Sequence, residues 1–196
     1  MRILAVSDIE SKFYYDYFTP GKLDGFDLIL SCGDLHREYL EFLVTMSRCP
    51  VVYVPGNHDE RFETKPPEGC LCADGQLVVV NGVRILGLGG SYRYKKSSCM
   101  YTERQMRLRV GRVLPSVWMH RGFDILLTHA PARHINDSDY ITHRGFECFT
   151  GLIDRYRPKY FVHGHVHMNY GAHIPRTDAR GETTIINAYD HYGFEY

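Results

Sequence analysis

A series of short, β-branched apolar runs sets the fold class of this chain. They are Arg2–Val6, Asp27–Ser31, Val51–Val54, Leu77–Val80, Val83–Leu88, Asp124–Thr128 and Tyr160–Val162. Each is too short for a stable helix and ends at a turn-forming or polar residue, so each reads as a strand. Asn81-Gly82, between the fourth and fifth runs, is the signature of a two-residue hairpin. Helical spacing appears between other runs. Tyr39, Leu40, Leu43, Val44 and Met46 form one apolar stripe, and Phe146, Phe149, Ile153 and Tyr156 form another that stops at Pro158. A helix over Thr102–Leu114 would put Met106, Val110, Val113 and Leu114 on one face. Strands alternating with helices, with a hairpin in the middle, point to a layered α/β domain with mixed sheets.

The length of 196 residues suits one well-formed core, and we read residues 1–196 as a single domain. Lys plus Arg equals Asp plus Glu, 23 against 23, which gives no general pull toward nucleic acid or an anionic membrane. The apolar runs are far too short to span a bilayer, and the N-terminal stretch lacks the apolar core of a signal peptide. The cysteines, Cys32, Cys49, Cys70, Cys72, Cys99 and Cys148, are scattered without a Cys-x-x-Cys pair. They read as reduced thiols of a cytoplasmic protein. Two loops, Arg61–Gln76 and Gly89–Thr102, read as surface excursions near one edge.

Most of the strands end in the same way. The first runs into Asp8 and Glu10, the second into Asp34, the third into Asn57, His58 and Asp59. Later runs meet His129, then His165 and His167. In α/β sheets the carboxyl ends of neighbouring strands gather at one edge, where ligands bind. Carboxylates and imidazoles brought together there repel or shift their pKa values unless a cation neutralises them. Mixed oxygen and nitrogen donors suit Mn²⁺, Fe²⁺, Zn²⁺ or their neighbours, and the number of donors fits two ions sharing one carboxylate. Taken singly the pieces are weak. Gly-Asp is usually a turn, and Asp8 could cap a helix while Glu10 faces water. The weight lies in the set.

The segments "SDIE", "CGDL", "GNHD", "THAP" and "GHVH", in this order, resemble the calcineurin-like metallophosphoesterase superfamily. The likeness covers nearly the whole chain. The first segment departs, because Glu10 stands where that superfamily has His. "GLGGSYRY" and "YTERQM" further resemble a compact, mostly bacterial branch of predicted phosphoesterases. The resemblance implies a four-layer αββα sandwich of two mixed sheets flanked by helices. It implies two divalent metal ions, Mn²⁺ foremost, with Fe, Zn, Ni or Co as alternatives. Asp8 and His167 would hold the first metal with Glu10 as an atypical third ligand. Asp34 would bridge, and Asn57, His129 and His165 would hold the second. His58 would act as general acid or charge stabiliser beside the phosphate, with Asp59 orienting its ring. The implied reaction is hydrolysis of a phosphodiester or small phosphate ester by a hydroxide shared between the metals. The rivals are a scaffold whose metal site is impaired at Glu10, and a metal-dependent nuclease.

For the substrate, the segment from Tyr92 to Arg121 carries Arg93, Lys95, Lys96, Arg104, Arg107, Arg109, Arg112 and Arg121 against one acid, Glu103. The helix arginines read as a solvated face, and the loop cations Arg93, Lys95 and Lys96 as the substrate contacts. His143, Arg144 and Gly145 precede a predicted helix, where they could meet an anion or serve as a cap. A small phosphate ester is the expected partner. Nucleic acid is the less favoured one, and no membrane partner is expected.

Overall fold

In the computed structural model, which describes residues 1–168 and 174–196, strand β1 (Arg2–Ser7) is buried on both faces. Ile3 and Ala5 face one core, Leu4 and Val6 another. This is the pattern of a strand packed between two layers. The chain continues through β2 (Leu28–Ser31), helix α1 (Arg37–Ser47), β3 (Val51–Tyr53), β4 (Leu71–Cys72), β5 (Gln76–Val80) and β6 (Val83–Leu88). It then forms β7 (Ser91–Tyr92), β8 (Met100–Tyr101), α2 (Glu103–Met119), β9 (Ile125–Thr128), α3 (Glu147–Tyr156) and β10 (Tyr160–His163). The last elements are β11 (Thr177–Arg180), β12 (Thr183–Asn187) and β13 (Asp190–Glu195).

One sheet has the order β13-β1-β2-β3-β4, the other β11-β12-β10-β9-β6-β5, and β7 pairs with β8 alone. β1, β2 and β3 are parallel, as are β6, β9, β10 and β12, while β13, β5 and β11 add antiparallel edges. The sheets face each other across a core that includes Ile3, Leu28, Leu30, Val52, Ile85, Ile125, Leu127, Val162 and Ile186. α1 covers the outside of the first sheet through Tyr39, Leu40 and Leu43. α2 and α3 cover the second through Met106, Val113, Val117, Phe149, Leu152 and Ile153. The result is the layered αββα arrangement. Each fully buried aliphatic side chain contributes about 1.5–3 kcal/mol, which makes these three cores the main favourable term in folding.

Local chemistry accounts for most element boundaries. At the hairpin, Asn81 and Gly82 have φ of 51° and 81°, as a type I′ turn requires. α2 starts on a capping box. Thr102 Oγ1 accepts the Gln105 N–H at 3.3 Å, and Gln105 Oε1 accepts the Thr102 N–H at 2.9 Å. The helix expected to end at Leu114 runs on through Pro115 to Met119, because Val117 extends the buried stripe and Pro115 lies on the exposed side. In α1, Met46 is 40% exposed, and Phe146 caps α3 from outside rather than lying within it. Strands β11 to β13 have no counterpart among the runs read from sequence: β11 is exposed along its whole length, and β13 is mostly polar. The two loops also hold more order than expected, a 3₁₀ turn with β4 in one and the β7–β8 pair in the other. Among the described residues no helix is long and apolar enough to cross a membrane, and the six cysteines are free thiols.

Candidate metal centre

Because β1, β2 and β3 run parallel, the residues after them emerge at one edge; β9 and β10 do the same for the second sheet. Those two edges meet. Asp8, after β1, accepts the His165 N–H on both carboxylate oxygens, at 3.1 and 3.0 Å, and lies 3.6 Å from His167 Nε2. Asp34, after β2, places Oδ2 3.4 Å from His129 Nε2 and accepts the His58 N–H on Oδ1 at 2.7 Å. Asn57 Oδ1 is 3.0 Å from the same His129 nitrogen. Asp34, His129 and His165 offer one donor atom each within 4.8 Å of one another. A cavity of about 280 Å³ opens onto this cluster, lined by Asp8, Asp34, Asn57, His58, His165 and His167 together with Tyr94, Thr142 and His143.

The backbone here is held in an uncommon conformation. Asp8, Asp34 and His165 have φ of 71°, 55° and 66°, the left-handed region that non-glycine residues enter at a cost of about 1–3 kcal/mol each. Each is tied down by its own amide: Asp8 to the Gly33 carbonyl at 3.1 Å, Asp34 to Asp59 Oδ2 at 2.7 Å, His165 to Asp8. Close packing of the loops requires glycine at two points. A Cβ on Gly56 would sit 2.1 Å from Asp34 Oδ1, and one on Gly164 would sit 1.9 Å from Ser7 Oγ and 2.9 Å from Asp8 Oδ2. Such strain clusters at functional sites, where surrounding contacts over-determine it.

The hydrogen bonds also decide which ring nitrogens are free to ligate. His129 Nδ1 is 2.7 Å from the Cys32 carbonyl, which can only accept, so Nδ1 carries a proton. In the neutral ring the Nε2 lone pair then faces the oxygens of Asn57 and Asp34, with the side chain 0% exposed. Lone pairs turned on one another in a buried site call for a cation. His165 is fixed in the opposite sense: Nε2 donates to the Thr142 carbonyl at 2.6 Å, leaving Nδ1 as the lone pair. Two imidazole nitrogens and carboxylate and amide oxygens fit a borderline divalent ion.

The same geometry shows in the protonation equilibria. Burial alone would lower His129, but the Asp34 and Asp8 carboxylates outweigh it and hold the ring at about 9. Burial and the charge of His129 push His165 down to about 3. Burial would raise both carboxyls, yet Asp34 is held below the usual carboxylate range by His129, and Asp8 by His167 and His129. A proton on His129 thus supplies the positive charge that the donor set otherwise lacks.

A family model described as calcineurin-like phosphoesterase matches residues 1–169. The chain belongs to the calcineurin-like phosphoesterase family. Two UPF0046 proteins of Caenorhabditis elegans are 25% and 24% identical to it over 224 and 215 residues, covering 96% of this chain and 74% and 69% of theirs. Among solved structures, TT1561 of Thermus thermophilus aligns with a TM-score of 0.59 at 16% identity, over 96% of this chain and 89% of that one. Another aligns with a TM-score of 0.68 at 13% identity, over 98% and 93%. At these identities the structural likeness speaks to the fold alone.

In this calcineurin-like phosphoesterase, Asp8, Asp34, Asn57, His58, His165 and His167 line one cavity, with His129 buried behind it. Glu10 lines a smaller cavity of about 160 Å³ on the other side of Asp8, Asp34 and His58, and there it meets His36. Its Oε1 accepts from the His36 N–H at 2.9 Å and lies 3.1 Å from His36 Nδ1, at the start of α1. Asp59, expected to orient the His58 ring, holds backbone: its Oδ2 accepts the N–H of Asp34 and of Gly56, both at 2.7 Å. Burial and the Asp34 charge push the Asp59 carboxyl up to about 6. His163, in phase with His165 and His167, is a core histidine whose burial lowers it to about 4, and its Nε2 meets Asn136 at 3.3 Å. Sequence reasoning missed the Cys32 and Thr142 carbonyls that fix the two tautomers, since a carbonyl leaves no mark in residue type. It also missed Tyr94 and left His143 without a role in the cavity; "SYRY" and "ITHR", each in a polar loop, were the available signals.

Proposed function

We propose that this chain hydrolyses a phosphate ester, a phosphodiester or small monoester, with two divalent cations as cofactors. The observation that carries the reading is Asp34. One of its oxygens lies 3.4 Å from His129 Nε2 while the other accepts the His58 N–H at 2.7 Å. A carboxylate so placed can serve two ions at once. Asn57, His129 and His165 would hold one ion with it, and Asp8 and His167 the other. Such a pair of ions supplies a low-pKa water and neutralises charge on the phosphoryl oxygens.

The chain's own residues do the rest. His58 is exposed in the cavity wall, and the hydrogen bond from its backbone N–H to Asp34 Oδ1 ties it to the ligand loop. Its ring gives a proton to the leaving oxygen or meets the charge growing there, an effect worth roughly 10²–10⁴-fold. Asp59 positions rather than reacts: by holding the amides of Asp34 and Gly56 it locks two ligand loops together. No Ser or Cys lines the cavity among the described residues. That suits phosphoryl transfer, in which positioning and charge neutralisation do most of the catalysis.

The test is a metal-resolved assay. Chelator-treated protein, reloaded singly with Mn²⁺, Fe²⁺, Zn²⁺, Ni²⁺ or Co²⁺, is offered bis(p-nitrophenyl) phosphate, p-nitrophenyl phosphate, a 2′,3′-cyclic nucleotide and a single-stranded oligonucleotide. Metal-dependent hydrolysis of at least one ester is expected, with a loss of about 10²-fold or more in Asp34→Asn. No metal-dependent turnover by folded protein, or equal turnover in Asp34→Asn, would overturn the reading. A binding protein with an impaired first site has one observation in its favour, the engagement of Glu10 by His36. It predicts ion binding without turnover in the same assay.

A further inference from the structure

The basic segment between Tyr92 and Arg121 resolves into cations with different tasks. Arg107 is paired with Glu103 at 3.0 Å and Glu147 at 2.9 Å. Arg109 grips both oxygens of Asp74 at 2.6 Å and the Gly89 carbonyl at 2.9 Å. Arg93 folds back onto the Met100 carbonyl at 3.1 Å and closes its own loop. Lys95 and Lys96 are different. Both are exposed, and neither has an acidic partner among the described residues. Together with Arg93, Tyr94, Ser97, Ser98 and Glu60 they line a cleft of about 850 Å³.

That cleft adjoins the metal centre. Tyr94 lines both the cleft and the 280 Å³ cavity that holds Asp8, Asp34 and His58. Burial and the nearby charge of Asp34 together raise its phenol. Glu60, two residues beyond His58, lines the same cleft, so it opens on the side of the proton donor. The volume lies within the usual range for a ligand of nucleotide size, well beyond the needs of one phosphate. Two lysines, an arginine and two serines against one acid, Glu60, give the lining of this cleft the composition of a phosphate-binding surface.

We propose that this cleft is the leaving-group subsite, and that Lys95 and Lys96 bind a second phosphate carried by the departing half of the substrate. The inference rests on the phosphoesterase reading and narrows it to diesters or phosphoanhydrides with a phosphorylated leaving group. In the reaction water adds its oxygen to phosphorus, the bond from phosphorus to the leaving oxygen breaks, and that oxygen takes up a proton from His58. One proton of the water stays on the product phosphate and the other goes to solvent, from which His58 is reprotonated. Tyr94, which lines both cavities, stands between the metal centre and the two lysines.

The test compares Lys95→Ala/Lys96→Ala with Arg104→Ala/Arg112→Ala, which removes the same charge from the exposed face of α2. Substrates are bis(p-nitrophenyl) phosphate, a dinucleoside pyrophosphate and a short single-stranded oligonucleotide; a nucleoside 5′-monophosphate is titrated separately as product. The lysine variant is expected to lose at least about tenfold more kcat/KM on the phosphate-bearing substrates than on bis(p-nitrophenyl) phosphate. It should also bind the monophosphate about tenfold more weakly, and Lys95→Arg/Lys96→Arg should recover most of both. Greater sensitivity of the pyrophosphate identifies a small nucleotide as the leaving group, and greater sensitivity of the oligonucleotide a strand. Equal losses on all substrates, or the same pattern in the arginine variant, overturn the proposal while leaving the phosphoesterase reading intact. Lysine-dependent binding of the monophosphate without turnover of any ester supports the subsite and overturns the phosphoesterase reading.

Discussion

Removal of the Glu10 carboxylate separates two accounts of that residue. The residue type after β1 suggests a metal ligand; the structure seats Glu10 on the start of α1. Its Oε1 accepts the His36 amide at 2.9 Å, and His36, the N-cap, makes no side-chain cap of its own. A carboxylate at a helix N-terminus stabilises by about 0.3–1 kcal/mol. A net hydrogen bond adds roughly 0.5–1.5 kcal/mol. With Glu10 28% and His36 71% exposed, the ring contact itself adds little. Glu10→Ala should therefore cost about 1–2 kcal/mol, and Glu10→Gln, which keeps an acceptor but no charge, about half of that. At roughly 2–4 °C per kcal/mol for a chain of this size, the alanine variant should melt about 2–8 °C lower. Urea unfolding of chelator-treated protein gives the free energy directly, and repeating it with saturating Mn²⁺ shows what the ion adds. The reasoning requires the loss without metal. An unchanged midpoint in chelator, combined with weaker Mn²⁺ binding that Glu10→His restores, would refute it and make Glu10 the ligand expected from its place in the sequence.

His58→Ala should lower turnover by roughly 10²-fold or more with metal content near normal. The loss should shrink for a nitrophenolate leaving group, as initial rates and ion counting on one preparation would show; an equal loss across leaving groups would mean positioning. Gly164→Ala forces a Cβ to within 1.9 Å of Ser7 Oγ. It should destabilise by about 1–3 kcal/mol in urea titration, with partial recovery when Ser7→Gly is added.

Much of this fold is visible in residue order because its strands are buried on both faces. β1, β2, β3, β6, β9 and β10 are runs of apolar residues, and such runs stand out. β11 and β13 do not, because an edge strand that meets solvent carries polar residues and pairs mainly through its backbone. The end of α2 was hidden by Pro115, whose missing N–H is tolerated where the ring faces water and Val117 still reaches the core. The centre was legible as a list of residue types, since each donor follows a strand. Its wiring was not. The carbonyls of Cys32 and Thr142 choose the ligating nitrogen of His129 and His165, and the three left-handed residues depend on tertiary contacts alone. Glu10 shows the same limit from the other side: its reach to His36 crosses 26 positions of sequence.

The central claim is that Asp34, His129 and His165 jointly hold a divalent ion. The most direct measurement is an anomalous difference map from crystals of this protein grown with Mn²⁺, collected for the wild type and for Asp34→Asn. The account predicts a peak on the order of 2.0–2.3 Å from Asp34 Oδ2, His129 Nε2 and His165 Nδ1, with His129 Nδ1 still on the Cys32 carbonyl. That peak should weaken or vanish in Asp34→Asn. A wild-type map with no peak among the three, and His129 Nε2 still bonded to Asn57, would contradict it.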